Sequence, residues 1–125
     1  MKIFNAKADH DDEFREAKET FFSNEVEILK KLRHENLVKL WCVSTVIEPK
    51  MIVTEYIPNG SLLNYMRMGI GADFNFNDII YVAAQVTAGM RYMEESRCVH
   101  RDLGARNIFV GENNLVKSKF LCFYY

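Results

Sequence analysis

The chain has 125 residues, of which 49% are hydrophobic, and a formal net charge of −1 at pH 7. This length and apolar content fit one small domain or part of a larger one, and a charge so close to zero gives no reason to expect nucleic acid or an anionic membrane as a partner. No apolar run approaches the roughly 18 residues of a membrane-spanning helix, so we predict no transmembrane segment.

The first half of the chain predicts a strand, a long helix and a hairpin. Residues 2–4 read as the end of a strand, and apolar residues recur at three- and four-residue steps over residues 13–33, which is typical of an amphipathic helix. Residues 37–45 and 51–56 are rich in apolar and β-branched side chains. The turn formers at 48–50 lie between them, so the two segments predict antiparallel strands.

A turn, a short helix and a long helix are expected next. Residues 58–60, Pro-Asn-Gly, end the second strand of the hairpin, and Ser61 is a good N-cap residue for a helix over 62–68. Asn77 is predicted to cap a helix that runs to about Ser96. One face of this helix is apolar, which predicts a buried face. Its members are Ile79, Val82, Ala83, Val86, Met90 and Met93.

The stretch 98–110, Cys-Val-His-Arg-Asp-Leu-Gly-Ala-Arg-Asn-Ile-Phe-Val, places ionisable side chains between apolar ends. Burying unpaired charges costs several kcal/mol, so a loop that faces a cleft is expected. There Asp102 could accept a proton from a hydroxyl, Asn107 could hold a metal and Arg106 could neutralise a phosphate. The alternative is a solvated loop with a capping aspartate. The end of the stretch and residues 115–117 predict a small hairpin.

The order His-Arg-Asp-Leu-x-x-x-Asn in this stretch is the catalytic-loop signature of protein kinases. With Gly104 and Arg106 after the aspartate, the chain resembles a protein tyrosine kinase catalytic domain of the cytoplasmic Src/Tec/Abl-like class, truncated at both ends. The resemblance implies a partial kinase fold of the α+β class. Residues 1–57 would be part of the small sheet lobe with its helix and the hinge, residues 58–117 part of the helical lobe, and residues 118–125 a divergent tail.

The resemblance also implies roles for the matching charged positions. Asp102 would orient and deprotonate a substrate tyrosine hydroxyl, with Arg106 beside it, and Asn107 would hold Mg²⁺. Lys2 and Glu25 would pair to hold the ATP phosphates. Two alternatives stay open from the residues themselves. Lys2 could be a solvated terminal residue, and Glu25 could lie solvated at the edge of the helix's apolar stripe.

An adenine site is implied around the second strand of the hairpin. By resemblance, Thr54 is the gatekeeper residue beside the adenine pocket, and the main chain of Glu55 and Ile57 bonds the adenine edge. Phe109 would form the floor of that pocket in place of a smaller aliphatic residue, so it could crowd the base. Three further residues map to an apolar column that links the two lobes: Leu29, Leu40 and His100.

The chain departs from the kinase pattern at two places. No Gly-rich loop precedes Lys2, and the Asp-Phe-Gly positions hold Phe120, Leu121 and Cys122. Phe120 has no oxygen ligand for a hard cation, so Mg²⁺ binding is expected to be compromised and this chain alone to be inactive. Leu121 could still fill the apolar column. The residues after Lys117 look unlike kinase sequence and suggest a reading-frame or exon boundary.

Three functions are therefore considered. The first is a tyrosine kinase fragment, whose parent transfers the ATP γ-phosphate to a protein substrate bearing tyrosine. The second is a truncated pseudokinase that acts as a binding module and docks on a full-length kinase through the helix face between Phe14 and Leu32. The third is a splice or gene-model fragment without a folded role. An odd cysteine count and a start without a signal-peptide core favour a cytoplasmic protein.

Overall fold

The computed structural model describes residues 2–3, 20, 23, 26–44, 51–69 and 74–120. Residues 26–31 are helical and are named α1 here. Three short strands form one antiparallel sheet in the order β1-β3-β2. They are β1 (Lys2–Ile3), β2 (Leu40–Ser44) and β3 (Met51–Thr54). The hairpin and the strand at residues 2–3 are thus confirmed.

The second half contains two helices and a hairpin. They are α2 (Leu62–Arg67), α3 (Phe76–Glu95), β4 (Ile108–Val110) and β5 (Val116–Ser118), with β4 and β5 antiparallel. Asn113 and Asn114 form the tip of the hairpin with φ of 53° and 55°, a left-handed conformation that asparagine tolerates better than most residues. Helices with small sheets confirm the predicted α+β class, and none of the described helices is long and apolar enough to cross a membrane.

Three predicted boundaries are wrong by two or three residues. Helix α1 ends at Lys31, two residues early, because the chain leaves the helix to turn at residues 35 and 36. Strand β2 begins at Leu40 rather than at Leu37, because Leu37 makes a single parallel bridge to Ser118 instead of joining the sheet. Strand β3 ends at Thr54, two residues early.

The start of α3 was also predicted wrongly, because its N-cap is Asn75 and not Asn77. The Asn75 side chain accepts hydrogen bonds from the main-chain N–H groups of Asn77 at 2.8 Å and Asp78 at 3.2 Å. The Asp78 carboxylate accepts the Asn75 N–H at 3.0 Å. This reciprocal capping box satisfies donors that a helix terminus otherwise leaves unpaired, and it fixes the first turn two residues earlier than expected.

The predicted face of α3 is confirmed in part, because Val82 and Met93 are buried and Val86 and Met90 pack against the core clusters. Ile79 is 51% exposed and Ala83 is also exposed, whereas Gln85 and Gly89 are buried. The inward stripe is Val82, Gln85, Gly89 and Met93. The prediction selected apolar residues only and therefore left out Gln85. The Gln85 amide forms hydrogen bonds inside the protein, and a polar group can be buried when its hydrogen bonds are satisfied.

Two clusters of buried side chains make up the described core, and α3 contributes to both. The first joins α1 and the sheet to the residues after α3 and β5: Leu29, Leu32, Leu37, Leu40, Met93, Cys98 and Phe120. The second lies under the β4–β5 hairpin: Val82, Ile108, Val110 and Val116. Because one long helix spans both clusters, the catalytic-loop stretch after it is held between them.

Gly89 allows the turn before β2 to approach α3. A Cβ atom at this position would lie 3.1 Å from the carbonyl oxygen of Asn36 and 3.3 Å from Leu37 Cδ2. We expect Gly89→Leu to lower the free energy of unfolding by about 1–3 kcal/mol, as overpacking usually does. Ala88→Leu on the exposed neighbouring position is the control in urea denaturation, and an equal loss in both variants would contradict the prediction.

Candidate active site

The catalytic-loop stretch folds into a tight turn between α3 and β4. Arg101 has φ of 61°, in the left-handed region that few non-glycine residues occupy. The Asp102 N–H donates to the carbonyl of His100 at 2.9 Å, and the Asn107 N–H donates to the carbonyl of Gly104 at 2.8 Å. These bonds bend the main chain so that the side chains of Asp102 and Asn107 meet.

The Asp102 carboxylate is held by two side chains of its own loop. Asn107 Nδ2 donates to Asp102 Oδ2 at 2.7 Å and to the Asp102 carbonyl at 2.8 Å, while Arg106 forms an ion pair with Oδ1. The hydrogen bond from Asn107, followed by that from Arg106, holds the pKa of Asp102 below its usual value. The carboxylate is therefore ionised at neutral pH, and it is 58% exposed, so an incoming hydroxyl can reach it.

His100 supports this loop from beneath. Its ring is buried, and Nε2 lies 2.7 Å from Ser118 Oγ. Nδ1 also receives the Asp102 N–H at 3.3 Å, as the longer branch of a donor shared with the His100 carbonyl, and this favours the neutral tautomer whose Nε2–H donates to Ser118. Burial lowers the pKa of His100, although the Asp102 charge opposes the shift. The neutral imidazole therefore joins β5 to the catalytic loop.

We expect the free energy of unfolding to fall as the pH decreases below 6.5, the ordinary pKa of histidine. The folded state holds His100 neutral, so the unfolded chain binds more protons between the ordinary and the lowered pKa, and stability is lost across that window. Urea denaturation of the wild type and His100→Gln between pH 7 and pH 5 measures the difference. The variant should show a flatter dependence, and equal slopes would contradict this role for His100.

Thr54, the predicted gatekeeper, is the last residue of β3 and faces a small cavity. The other lining residues come from α1, the segment before β2, the sheet and the segment after β5: Leu29, Val38, Leu40, Ile52, Lys119 and Phe120. Its volume of about 20 Å³ is close to what one water molecule needs. The cavity is therefore too small for a purine base, and the adenine site beside Thr54 stays a prediction.

The main chain that follows Thr54, residues 55–61, is the hinge between the sheet and α2, and it lies beside β4. The Asn59 N–H donates to the Val110 carbonyl at 3.1 Å, and the Val110 N–H donates to the Gly60 carbonyl at 2.9 Å. Phe109 on β4 is half-buried and forms an isolated bridge with Ser61. The predicted adenine residues Glu55, Ile57 and Phe109 thus belong to one hydrogen-bonded region of the molecule.

The predicted phosphate pair lies mainly outside the described residues. Glu25 is not among them, and of Lys2 only its position in β1, opposite Ile52 in the sheet, is described. The Lys2–Glu25 ion pair therefore stays a prediction.

The residue at the first of the Asp-Phe-Gly positions does not fit a magnesium ion. Phe120, which by the resemblance stands at the position of the family's metal-binding aspartate, is 7% exposed, with its ring 6.2 Å from that of His100. It packs in the cluster that contains Leu29 and Leu40, so Phe120 itself fills the predicted apolar column, while Leu121 lies outside the described residues. Among the described residues, no group of three His, Cys, Asp or Glu side chains could hold a metal ion.

A buried amide network that supports the site was missed in the sequence. Asn36 Nδ2 donates to Gln85 Oε1 at 3.1 Å and to the Val116 carbonyl at 3.0 Å. Gln85 Oε1 also accepts the Val116 N–H at 2.9 Å, and Gln85 Nε2 donates to the Asn114 carbonyl at 2.9 Å. The network joins the turn before β2, helix α3 and the β4–β5 hairpin. A glutamine beside the apolar positions of α3 was the available signal.

A sheet with one helix, a hinge to a helical half, and an aspartate–asparagine loop are together consistent with a partial protein kinase fold. The family described as protein tyrosine and serine/threonine kinase matches residues 2–119, and the chain belongs to it. Members of this family use ATP and Mg²⁺ in general.

Tyrosine kinases are among the relatives that this chain is similar to. Over 96 residues, 77% of this chain, it is 49% identical to the tyrosine-protein kinase Src64B of Drosophila melanogaster and to SRK2 of Spongilla lacustris, and 43% identical to ABL2 of Homo sapiens. The matched segment covers 17%, 26% and 8% of those proteins, respectively. The chain therefore resembles non-receptor tyrosine kinases and spans less than a third of the length of these relatives.

Proposed function

We propose that the chain is the hinge and catalytic-loop portion of a non-receptor protein tyrosine kinase, an ATP:protein-tyrosine phosphotransferase that acts in the cytoplasm. The observation that carries this proposal is the exposed Asp102 carboxylate, kept ionised by Asn107 and Arg106. Its partners would be ATP and a protein that presents a tyrosine. The relatives named above are tyrosine-protein kinases, which supports tyrosine as the acceptor.

In the complete catalytic domain, Asp102 would accept the tyrosine proton. The phenolic oxygen would form a bond to the γ-phosphorus while the bond from that phosphorus to the β–γ bridging oxygen breaks, and ADP would leave. A carboxylate with a lowered pKa is a weak base, so orienting the hydroxyl is the larger part of its role. Arg106 is fixed by its ion pair with Asp102 and would balance negative charge near the acceptor.

Asn107 would have a different role in this chain from the one in the family. Its amide nitrogen is bonded to Asp102, which aligns the two side chains, and its amide oxygen is the atom that a magnesium ion would take. With Phe120 buried at the second ligand position, one oxygen from Asn107 does not make a metal site. We therefore assign Asn107 to holding Asp102 and derive no step through Mg²⁺.

We expect this chain to bind adenine nucleotides but not to phosphorylate tyrosine. ATP would bind through the hinge main chain at Glu55 and Ile57, beside Phe109, and the missing metal ligands would prevent transfer because the metal ordinarily neutralises the developing charge. Isothermal titration with ATP, with and without Mg²⁺, and with cytidine triphosphate as control, measures binding. Binding of neither nucleotide, or of both equally, would contradict the adenine site.

Turnover is tested with a tyrosine peptide, ATP and Mg²⁺, with phosphotyrosine detected by mass spectrometry. The wild type and Asp102→Asn should both stay at background. Phosphotyrosine above the Asp102→Asn level would show that the chain is active and that the assigned metal defect is wrong.

The alternative function, docking on a full-length kinase, needs a helix face whose described residues pack inside this chain. The described residues of the predicted apolar stripe are Ile28, which is half-buried against the first core cluster, and Leu32, which is buried within the chain. Phe14 lies outside the described residues, so docking on a full-length kinase stays a prediction, as does a role limited to a splice or gene-model fragment.

A further inference from the structure

The pairing of β2 with β3 continues by one residue pair, Lys39 and Glu55. In this pair the acceptor on Glu55 is the side-chain carboxylate and not the main-chain carbonyl. Regular pairing ends at Leu40 and Thr54. One position further, the Glu55 N–H donates to the Lys39 carbonyl at 2.9 Å. In a regular antiparallel pair the Lys39 N–H would return a bond to the Glu55 carbonyl. It donates instead to Glu55 Oε1, at 2.7 Å.

Lys117 fixes the carboxylate in this position. Its Nζ lies 2.8 Å from the same Glu55 Oε1, and the two side chains are only 20% and 21% exposed. Charge-assisted hydrogen bonds of this kind are stronger than neutral ones, and low exposure reduces competition from water. Because Lys117 is on β5, the contact joins the first sheet to the β4–β5 hairpin across the hinge.

We propose that the Glu55 side chain keeps its own main-chain carbonyl open to a ligand, namely to the exocyclic amino group of a purine. The carboxylate takes the Lys39 N–H, and within the described part of the chain no main-chain N–H is bonded to the Glu55 carbonyl. The inference rests on the proposed function, which assigns the hinge main chain to adenine. Glu55 and Lys117 are thus positioning residues, which act through the carbonyl.

Two nucleosides that differ at one donor test this inference on the full chain. Adenosine carries the exocyclic amino group and purine riboside lacks it, so their affinity ratio reports the bond to the carbonyl. In Glu55→Ala, the Lys39 N–H is free to take the carbonyl. We expect the wild-type preference for adenosine to fall by roughly three- to tenfold, the size of one hydrogen bond. Glu55→Gln keeps a neutral acceptor and should retain most of the preference.

Lys117→Met should show a smaller loss of preference, because the carboxylate keeps its bond to Lys39 but is no longer fixed. Glu95→Ala is the matched control, since Glu95 pairs with Arg91 on the exposed face of α3. The ratio of the affinities for adenosine and purine riboside in Glu95→Ala should equal the wild-type ratio.

The outcomes separate this inference from the adenine site itself. If the wild type prefers adenosine and Glu55→Ala keeps the same ratio, the inference is overturned and the adenine site stands. If the wild type binds neither nucleoside, both are overturned. If it binds both equally, the amino group is not recognised and the inference fails alone. Should Glu55→Ala not fold, Lys117→Met decides, and an unchanged ratio in that variant counts against the inference.

Discussion

Phe120→Asp should unfold most of the chain instead of restoring a metal site. Phe120 is 7% exposed and packs in the cluster with Leu40, Met93 and Cys98. Removing a buried aromatic ring costs about 3–5 kcal/mol, and burying an unpaired carboxylate adds to that cost. The free energy of unfolding of a domain is about 5–15 kcal/mol in total, so the substitution removes much of the stability of the folded chain. Urea denaturation followed by circular dichroism measures the effect.

Two variants control for this experiment. Phe120→Leu keeps an apolar side chain and should cost about 1–2 kcal/mol. Leu103→Asp introduces the same charge at a position that is 52% exposed, and it should change stability by less than about 0.5 kcal/mol. A folded Phe120→Asp variant that binds Mg²⁺ would show that the core around residue 120 can open to form a metal site.

Asn36→Ala should lower the free energy of unfolding by about 2–3 kcal/mol. Asn36 is 3% exposed, and the alanine would remove the donor from the Val116 carbonyl and one of the two donors to Gln85 Oε1. A buried acceptor that loses its partner keeps its desolvation cost, so the loss exceeds that of an exposed bond. Asn36→Asp should cost at least as much, because an ionised carboxylate donates no hydrogen bond and would face two acceptors.

Asn59 offers the matched control for this prediction. It is exposed and also donates through Nδ2 to a carbonyl, that of Gly111, at 2.9 Å. Asn59→Ala should cost less than about 1 kcal/mol, since water can replace the lost donor. Urea denaturation measures both variants. Equal losses of unfolding free energy in Asn36→Ala and Asn59→Ala would show that the buried network stabilises the chain no more than an exposed hydrogen bond does.

The sequence pattern predicted an element correctly where the residues that determine it lie close together in the chain. The hairpin, the short helix after Ser61 and the long helix before the catalytic loop follow from periodicity and turn chemistry. The contact between Asp102 and Asn107 also follows from their spacing in one loop. Element ends were less well predicted, as at Asn75, because a cap depends on which of several neighbouring asparagines bonds the helix.

What the sequence alone determined is the kinase family, the mixed fold and the loop that carries Asp102, since each depends on residues a few positions apart. Only the tertiary structure decided which polar groups are buried and what they hold. Asn36 meets Gln85 across 49 positions, and Glu55 meets Lys117 across 62. Such partners are chosen by how the helix and the two sheets pack, because a buried polar group is stable only where the fold brings it a partner.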